Sequence, residues 1–187
     1  MRTCLAPLLL AVLLGNPAAA QRQPAPAPLQ GVVTKVIDGD TFTLSLSDGS
    51  QRTVRITDLD APEICQPWGE EAKQALAERV LKQTVRVQPR GTDRWQRLLG
   101  RVFVGDLDVG DRLVRDGHAW SAVGRSGRGP LMAEQRMARA LSRGVHADPQ
   151  AVHPADFRQR HGPCLLPEAS PAAPPAAPAP SGATTRR

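Results

Sequence analysis

The chain has 187 residues and a net charge of +6, which leaves room for one ordinary domain with tails and a basic surface. Beyond the first twenty residues no stretch is apolar enough for a membrane-spanning helix, which excludes a helical membrane domain. Only three of the 24 basic residues are Lys. Arginine forms bidentate contacts with phosphate, so the composition suggests a nucleic acid partner without establishing one.

Residues 1–20 have the pattern of a secretory signal peptide. Arg2 supplies the positive start, an apolar run LAPLLLAVLL follows, and Ala18–Ala20 form a small-residue cleavage site. The apolar run is well short of the ~20 residues that a membrane helix needs. We therefore expect cleavage after Ala20 and a periplasmic or secreted protein.

Two proline- and alanine-rich segments flank the predicted domain. Residues 21–29 predict a linker, and residues 167–187 predict a disordered tail, because neither composition can bury a core. The folded domain is predicted at residues 30–166.

Two cysteines, Cys65 and Cys164, remain once the leader with Cys4 is removed. In an oxidising compartment they predict one disulfide, and the alternative is a pair of free thiols. A zinc site is not expected, because the chain has no CxxC motif or Cys/His cluster.

The hydrophobic pattern predicts three strands, a helix, two strands and then further helices. The expected strands are 31–37, 41–46, 53–57, 84–89 and 99–104, and the expected helices are 70–83, 111–116 and 130–142. In the third strand Val54 and Ile56 point inward, so Arg55 must lie on the opposite face. This order is typical of an α+β, mainly β fold: a five-stranded OB-fold barrel with about three helices.

The first motif is VIDGDT at residues 36–41. Asp38 and Gly39 predict a tight turn, with glycine expected for its access to positive φ. Asp40 either completes this turn or has a further task.

The second motif is RITDLDAPE at residues 55–63. It places Asp60 and Glu63 on a loop that Pro62 stiffens. Together with Asp40, these carboxylates could converge on a hard cation, which prefers oxygen ligands. The plainer interpretation is that Asp60 caps a turn and that Arg55 is a solvated barrel residue.

The third motif is TDRWQR at residues 92–97, in which Arg94 and Arg97 flank Trp95. Basic residues beside an aromatic ring suit a phosphate and a stacked base, although Trp95 could instead belong to the core. Jointly the three motifs supply what phosphodiester hydrolysis requires: charge neutralisation by arginines and a cation, and a carboxylate to activate water.

The three motifs, in this order, resemble the thermonuclease family typified by staphylococcal nuclease, which includes periplasmic bacterial members. The segment GDLDVGDRLVRDGHAW resembles the part that follows in those proteins, and the likeness covers about residues 31–157. The resemblance implies a calcium-dependent endo/exonuclease that acts on single- and double-stranded DNA and on RNA. It implies products with 3′-phosphate ends, and we expect a monomer.

The resemblance also assigns roles by motif position. It implies Ca²⁺ bound by Asp40, Asp60 and the Ala61 carbonyl, transition-state stabilisation by Arg55 and Arg97, Glu63 as general base, and substrate binding by Arg94 and Trp95.

The sequence departs from the family pattern at Ala61, where the archetype has Thr, and at Gln96, where it has Gly. It also contains no Tyr, so the tyrosines of the archetype's nucleotide pocket are absent. Two alternatives to an enzyme stay open at this point: an OB module that grips nucleic acid without cutting, and an envelope scaffold protein.

Overall fold

The computed structural model describes residues 27–123, 129–162 and 164. The predicted signal peptide, residues 21–26 of the predicted linker and the predicted tail lie outside these residues. Within them, no helix has the length and apolar character needed to cross a membrane.

The described residues form eight strands and four α-helices. The strands are β1 Leu29–Val36, β2 Thr41–Leu46, β3 Gln51–Ile56, β4 Leu59–Asp60, β5 Thr84–Thr92, β6 Leu98–Val104, β7 Leu107–Asp108 and β8 Trp120–Ser121. The helices are α1 Gly69–Val80, α2 Val109–Arg115, α3 Met132–Ala140 and α4 Pro154–His161, with a 3-10 turn at Gly144–Ala147.

Five strands close into a barrel. β1 pairs antiparallel with β2 and β5, β2 with β3, and β5 with β6, and a parallel pairing of β3 with β6 completes the ring. β7 extends the sheet beyond β6, and β4 pairs with β8 in a separate two-stranded ribbon. The predicted mainly β, α+β architecture of the OB type is confirmed.

The core fills the barrel and continues under α1 and α2. Phe42 and Leu44 of β2 are fully buried, as their alternation predicts, whereas Leu46 at the strand's end is only partly buried. Helix α1 buries the predicted stripe of Ala72, Ala75, Leu76 and Val80. Ala72 of this helix packs closely against Gly39 of the first motif, since a Cβ at Gly39 would lie 2.8 Å from the Ala72 Cβ.

Several element bounds differ from the sequence expectation. β1 begins at Leu29, because this residue pairs with Val87 of β5. β5 continues to Thr92 through a register shift after Pro89, a proline that cannot donate to the ladder. α1 ends at Val80 rather than residue 83, because Lys82 adopts a φ of 63° and its N–H donates to Val33 in β1.

Helix α4 has no counterpart among the ranges predicted from sequence. Its start has a recognisable form, since the His153 side chain accepts from the Ala155 N–H and Pro154 occupies the first turn. Its apolar pattern is too weak to predict a helix from the sequence. The described residues therefore contain four α-helices, where about three were expected.

Candidate active site

The three motifs meet in one cleft of about 650 Å³. The register of the barrel brings them together, because Thr41 lies opposite Arg55 and Val54 lies opposite Leu98. The lining residues are Asp38, Asp40, Arg55, Ala61, Pro62, Glu63, Arg94, Trp95, Arg97 and Arg158. Nine of these ten residues belong to the three motifs, so the fold brings together motifs that are far apart in the sequence.

A turn between β1 and β2 delivers Asp40. The Asp38 carboxylate accepts from the Asp40 N–H at 3.0 Å, and the Asp40 carbonyl accepts from the Ile56 N–H at 2.9 Å. Gly39 does not have a positive φ; a Cβ there would lie 2.7 Å from the Cβ of Ala61. The expected reason for this glycine was therefore wrong: it permits close approach of the two loops.

Arg55 bridges the two buried carboxylates. Its Nη1 donates to Asp40 at 2.9 Å and its Nη2 donates to Asp60 at 3.0 Å. Asp40 is 3% exposed and Asp60 is 7% exposed, and Thr41 donates to Asp40 at 2.8 Å. Neither acid merely caps a turn, and Arg55 is not simply a solvated barrel residue.

The electrostatics of this group disfavour a bare anion at Asp40. Burial, reinforced by the Asp38 carboxylate, raises the pKa of Asp40 from 3.8 to about 7. Burial also acts to lower the pKa of Arg55, but the carboxylates of Asp40 and Asp60 outweigh it and the pKa is raised. Arg55 thus stays charged, and a further cation beside Asp40 would relieve its unfavourable burial.

The donors present fit a hard cation. Asp40, Asp60 and the Ala61 carbonyl offer oxygen only, and Asp40 Oδ2 has one long contact, 3.4 Å from the Ala61 N–H. Among the described residues no group of three or more His, Cys, Asp or Glu side chains is arranged to hold a metal.

The third motif forms one wall of the cleft. The Asp93 carboxylate accepts from the N–H groups of Trp95 and Arg97, each at 2.9 Å, and from Arg97 Nε at 2.7 Å. Trp95 is 61% exposed, so it is not a core residue. The Arg94 guanidinium lies 4.0 Å from its ring centroid. Gln96 adopts a φ of 62°, a left-handed conformation that glycine adopts more easily.

Arg97 lines the cleft but does not contact the acids of the second motif. Its guanidinium is paired with Asp93 and lies 5.0 Å from the Trp95 ring centroid. A phosphate in the cleft would compete with Asp93 for this side chain.

Arg158 is the one lining residue of this cleft that the sequence analysis did not predict. It comes from α4 and donates to Asp60 at 2.8 Å and to Glu63 at 2.7 Å. Hydrogen bonds to Asp60 raise its pKa, so it is a permanent cation. Arg158 lies 98 positions after Asp60, so no local motif links the two residues. The predicted pairing of Cys65 with Cys164 was the feature of the sequence that indicated that the two segments lie close together.

The predicted disulfide is present, joining Cys65 to Cys164 with a Cα–Cα distance of 5.8 Å. It ties the end of the α4 segment to the loop that follows Glu63. The disulfide thus joins the two segments that carry Glu63 and Arg158.

Residues 53–146 match the family model described as staphylococcal nuclease homologue. The chain belongs to the staphylococcal nuclease family. Membership of this family makes the protein a nuclease, an enzyme that hydrolyses the phosphodiester bonds of nucleic acid.

Several individual proteins are similar in sequence to this chain over most of its length. Protein ParB of Escherichia coli is 37% identical over 147 residues, which cover 73% of this chain and 82% of that protein. Micrococcal nuclease of Shigella flexneri is 31% identical over 147 residues, covering 73% and 84%. An uncharacterized endonuclease of Haemophilus influenzae is 31% identical over 128 residues, covering 68% and 72%. Asp40 and Arg158 of this staphylococcal nuclease homologue lie outside the stretch matched by the family model.

Proposed function

We propose that the protein is an exported, calcium-dependent nuclease that cuts DNA and RNA and leaves 3′-phosphate ends. The observation that carries this proposal is the cleft itself, where the buried carboxylate of Asp40, two further acids and four arginines line a space of about 650 Å³. Asp60 lies beside this lining and accepts from two of the arginines, Arg55 and Arg158. Such a space suits one phosphate of a nucleic acid strand with its flanking sugars.

Asp40, Asp60 and the Ala61 carbonyl are the residues that would hold Ca²⁺. When bound, the ion supplies a counter-charge for the phosphate and makes its phosphorus more electrophilic. Mg²⁺ demands near-ideal octahedral geometry and keeps its waters, so we expect it to support less activity.

The arginines bind and neutralise the phosphate. Arg55 lines the cleft and is already fixed by two carboxylates, so its side chain has little freedom to lose when a phosphate binds. Arg97 would exchange its partner Asp93 for a phosphate oxygen. Both cations would stabilise the charge that grows on the phosphoryl oxygens as the transition state forms.

Glu63 would accept the proton of the attacking water. Its side chain is partly exposed at the cleft, within reach of solvent, and Arg158 holds one carboxylate oxygen while the other is available. The water oxygen forms a bond to phosphorus, and the bond from phosphorus to the 5′-oxygen breaks. The products are a 3′-phosphate and a 5′-hydroxyl, with the leaving 5′-oxygen taking a proton from solvent and Glu63 later releasing its proton to solvent.

Arg94 and Trp95 would hold the neighbouring nucleotide. An exposed indole beside a guanidinium can stack on any base, which fits cleavage without strong sequence preference. The leader and the disulfide support export to an oxidising compartment. We infer a monomer, since one chain supplies every residue assigned to the site.

The test measures hydrolysis of single-stranded DNA by the mature protein beginning at Gln21, in calcium, in magnesium and in chelator. We expect the highest rate in calcium and loss of activity in chelator. Equal rates in calcium and in chelator would reject the metal assignment. DNA binding without cleavage in every condition would instead support the binding-module alternative.

A further inference from the structure

The Arg158 guanidinium spans two carboxylates with different proposed tasks. Its Nη1 donates to Glu63 at 2.7 Å and to Asp60 Oδ1 at 3.2 Å, and its Nη2 donates to Asp60 Oδ2 at 2.8 Å. It therefore joins a proposed metal ligand directly to the proposed general base.

The same two segments are joined at two further points. Gln66, which is 6% exposed, accepts from the Glu63 N–H at 3.1 Å and donates to the Val152 carbonyl at 2.6 Å. The disulfide between Cys65 and Cys164 is the second of these further links. Three links therefore hold the loop after β4 against α4 and the residues on either side of this helix, and the ion pair is the link that lines the cleft.

We propose that Arg158 is a positioning residue, which fixes Glu63 and Asp60 relative to each other, and that the Cys65–Cys164 disulfide keeps it in place. This inference rests on the proposed function. Glu63 lies on a loop and is partly exposed, so without a partner it would sample several rotamers. A fixed carboxylate keeps its basic oxygen in line with the attacked phosphate, and small misplacements of a reacting group cost large factors in rate.

The ion pair of Arg158 with Asp60 and Glu63, called the clamp below, should favour turnover but weaken calcium binding. Asp60 keeps a second donor, Arg55 at 3.0 Å, so the carboxylate stays in place when Arg158 is removed. A guanidinium on both Asp60 oxygens repels a second cation, and removing it should tighten calcium binding. Loss of Arg158 should thus slow turnover while increasing calcium affinity, a combination that general loosening of the fold does not produce.

The experiment compares Arg158→Gln and Arg158→Lys with the matched control Arg160→Gln, which alters an exposed arginine on the same helix. Calorimetry gives calcium affinity, and steady-state hydrolysis of single-stranded DNA gives kcat and KM. For Arg158→Gln we expect kcat to fall about 10–100-fold, as for other residues that orient a reacting group. We expect KM to change by less than about 3-fold and calcium to bind a few-fold more tightly. Arg160→Gln should behave like the parent.

Two further measurements separate positioning from folding. Arg158→Lys keeps the charge but not the fork, so it should keep the parent's calcium affinity and still lose kcat. Guanidinium ion at millimolar concentration should restore part of the kcat of Arg158→Ala and leave Arg160→Gln unchanged.

The role of the disulfide is tested by a double-mutant cycle. Cys65→Ser with Cys164→Ser should lower kcat, and adding Arg158→Gln should lower it little further, because both changes release the same pair. Independent, multiplying effects would overturn the link between the disulfide and the clamp.

The outcomes distinguish the clamp from the proposed function. A parent that hydrolyses DNA with calcium, beside an equally fast Arg158→Gln, rejects the clamp alone. Parallel losses of kcat, calcium affinity and melting temperature in Arg158→Gln also reject it, in favour of a purely structural ion pair. A parent without calcium-dependent hydrolysis rejects the proposed function and the clamp with it.

Discussion

Asp40→Asn replaces the most buried carboxylate of the cleft with an uncharged side chain of the same shape. The rise in the Asp40 pKa from 3.8 to about 7 means that ionising this group costs the folded protein about 4 kcal/mol above pH 7. Asparagine avoids this cost but presents a donor toward the Ala61 N–H and a weaker acceptor to Arg55. These losses amount to about 1–2 kcal/mol.

The net expectation is that metal-free Asp40→Asn is more stable than the parent at pH 8 by about 2 kcal/mol. This gain corresponds to a rise in Tm of about 5 °C for a domain of this size. The sign follows from linkage: a raised carboxyl pKa withdraws stability from the parent as pH rises from about 4 to about 7. The gain should therefore disappear below pH 4, where the carboxyl is protonated in both folded and unfolded parent, and the variant should there be less stable than the parent by about 1–2 kcal/mol.

The assay is thermal melting in chelator at pH 4 and pH 8, followed by calcium titration and hydrolysis rates. The variant should bind calcium far more weakly and cut more slowly by a factor of about 10²–10⁴, as for loss of a charge partner in a transition state. Asp48→Asn is the control, since Asp48 lies in an exposed hairpin turn outside the cleft. A variant that melts well below the parent at pH 8, or that keeps calcium affinity and rate, would refute the reasoning and leave Asp40 as a turn residue.

Four further predictions concern other residues of the three motifs. Arg55→Ala and Arg97→Ala should each lower kcat by about 10²–10⁴ in single-stranded DNA hydrolysis; a change below 10-fold would remove that arginine from the proposed mechanism. Glu63→Gln should lower kcat while the Kd for DNA, measured by anisotropy, stays within about 3-fold; a matching loss of affinity would contradict its role as base. Trp95→Ala should weaken DNA binding by about 1–3 kcal/mol without altering calcium affinity, and unchanged binding would exclude stacking. Gln96→Gly should raise the free energy of unfolding by about 1 kcal/mol in urea titration, because Gln96 holds a φ of 62°, and a loss of stability would show that the conformation is unstrained.

The barrel could be predicted because its strands obey simple alternation. Phe42 and Leu44 are buried and Arg55 lies on the outer face, as period-two arguments require. The motifs also place the polar residues at the correct ends of the strands. The convergence of the three motifs depends on the parallel pairing of β3 with β6. The local hydrophobic pattern does not predict this pairing, whereas the resemblance to a family implies a closed barrel.

The remaining features depend on contacts between distant segments. Gly39 is required by its approach to Ala61 and Ala72, and the sequence shows only an Asp-Gly turn. Asp93 shapes the loop of Trp95 and Arg97 through three hydrogen bonds that no spacing rule predicts. Arg158 enters the site from a helix with a weak apolar pattern, so only the cysteine pairing pointed toward it.

The central claim is that this cleft performs calcium-dependent hydrolysis at phosphorus with loss of the 5′-oxygen. Mass spectrometry of the oligonucleotides released from single-stranded DNA in ¹⁸O-labelled water and calcium tests it most directly. The account predicts 3′-phosphate ends that carry one ¹⁸O atom per cleavage, unlabelled 5′-hydroxyl ends, and no products in chelator. Labelled 5′-phosphate ends, or the same products without calcium, would contradict it.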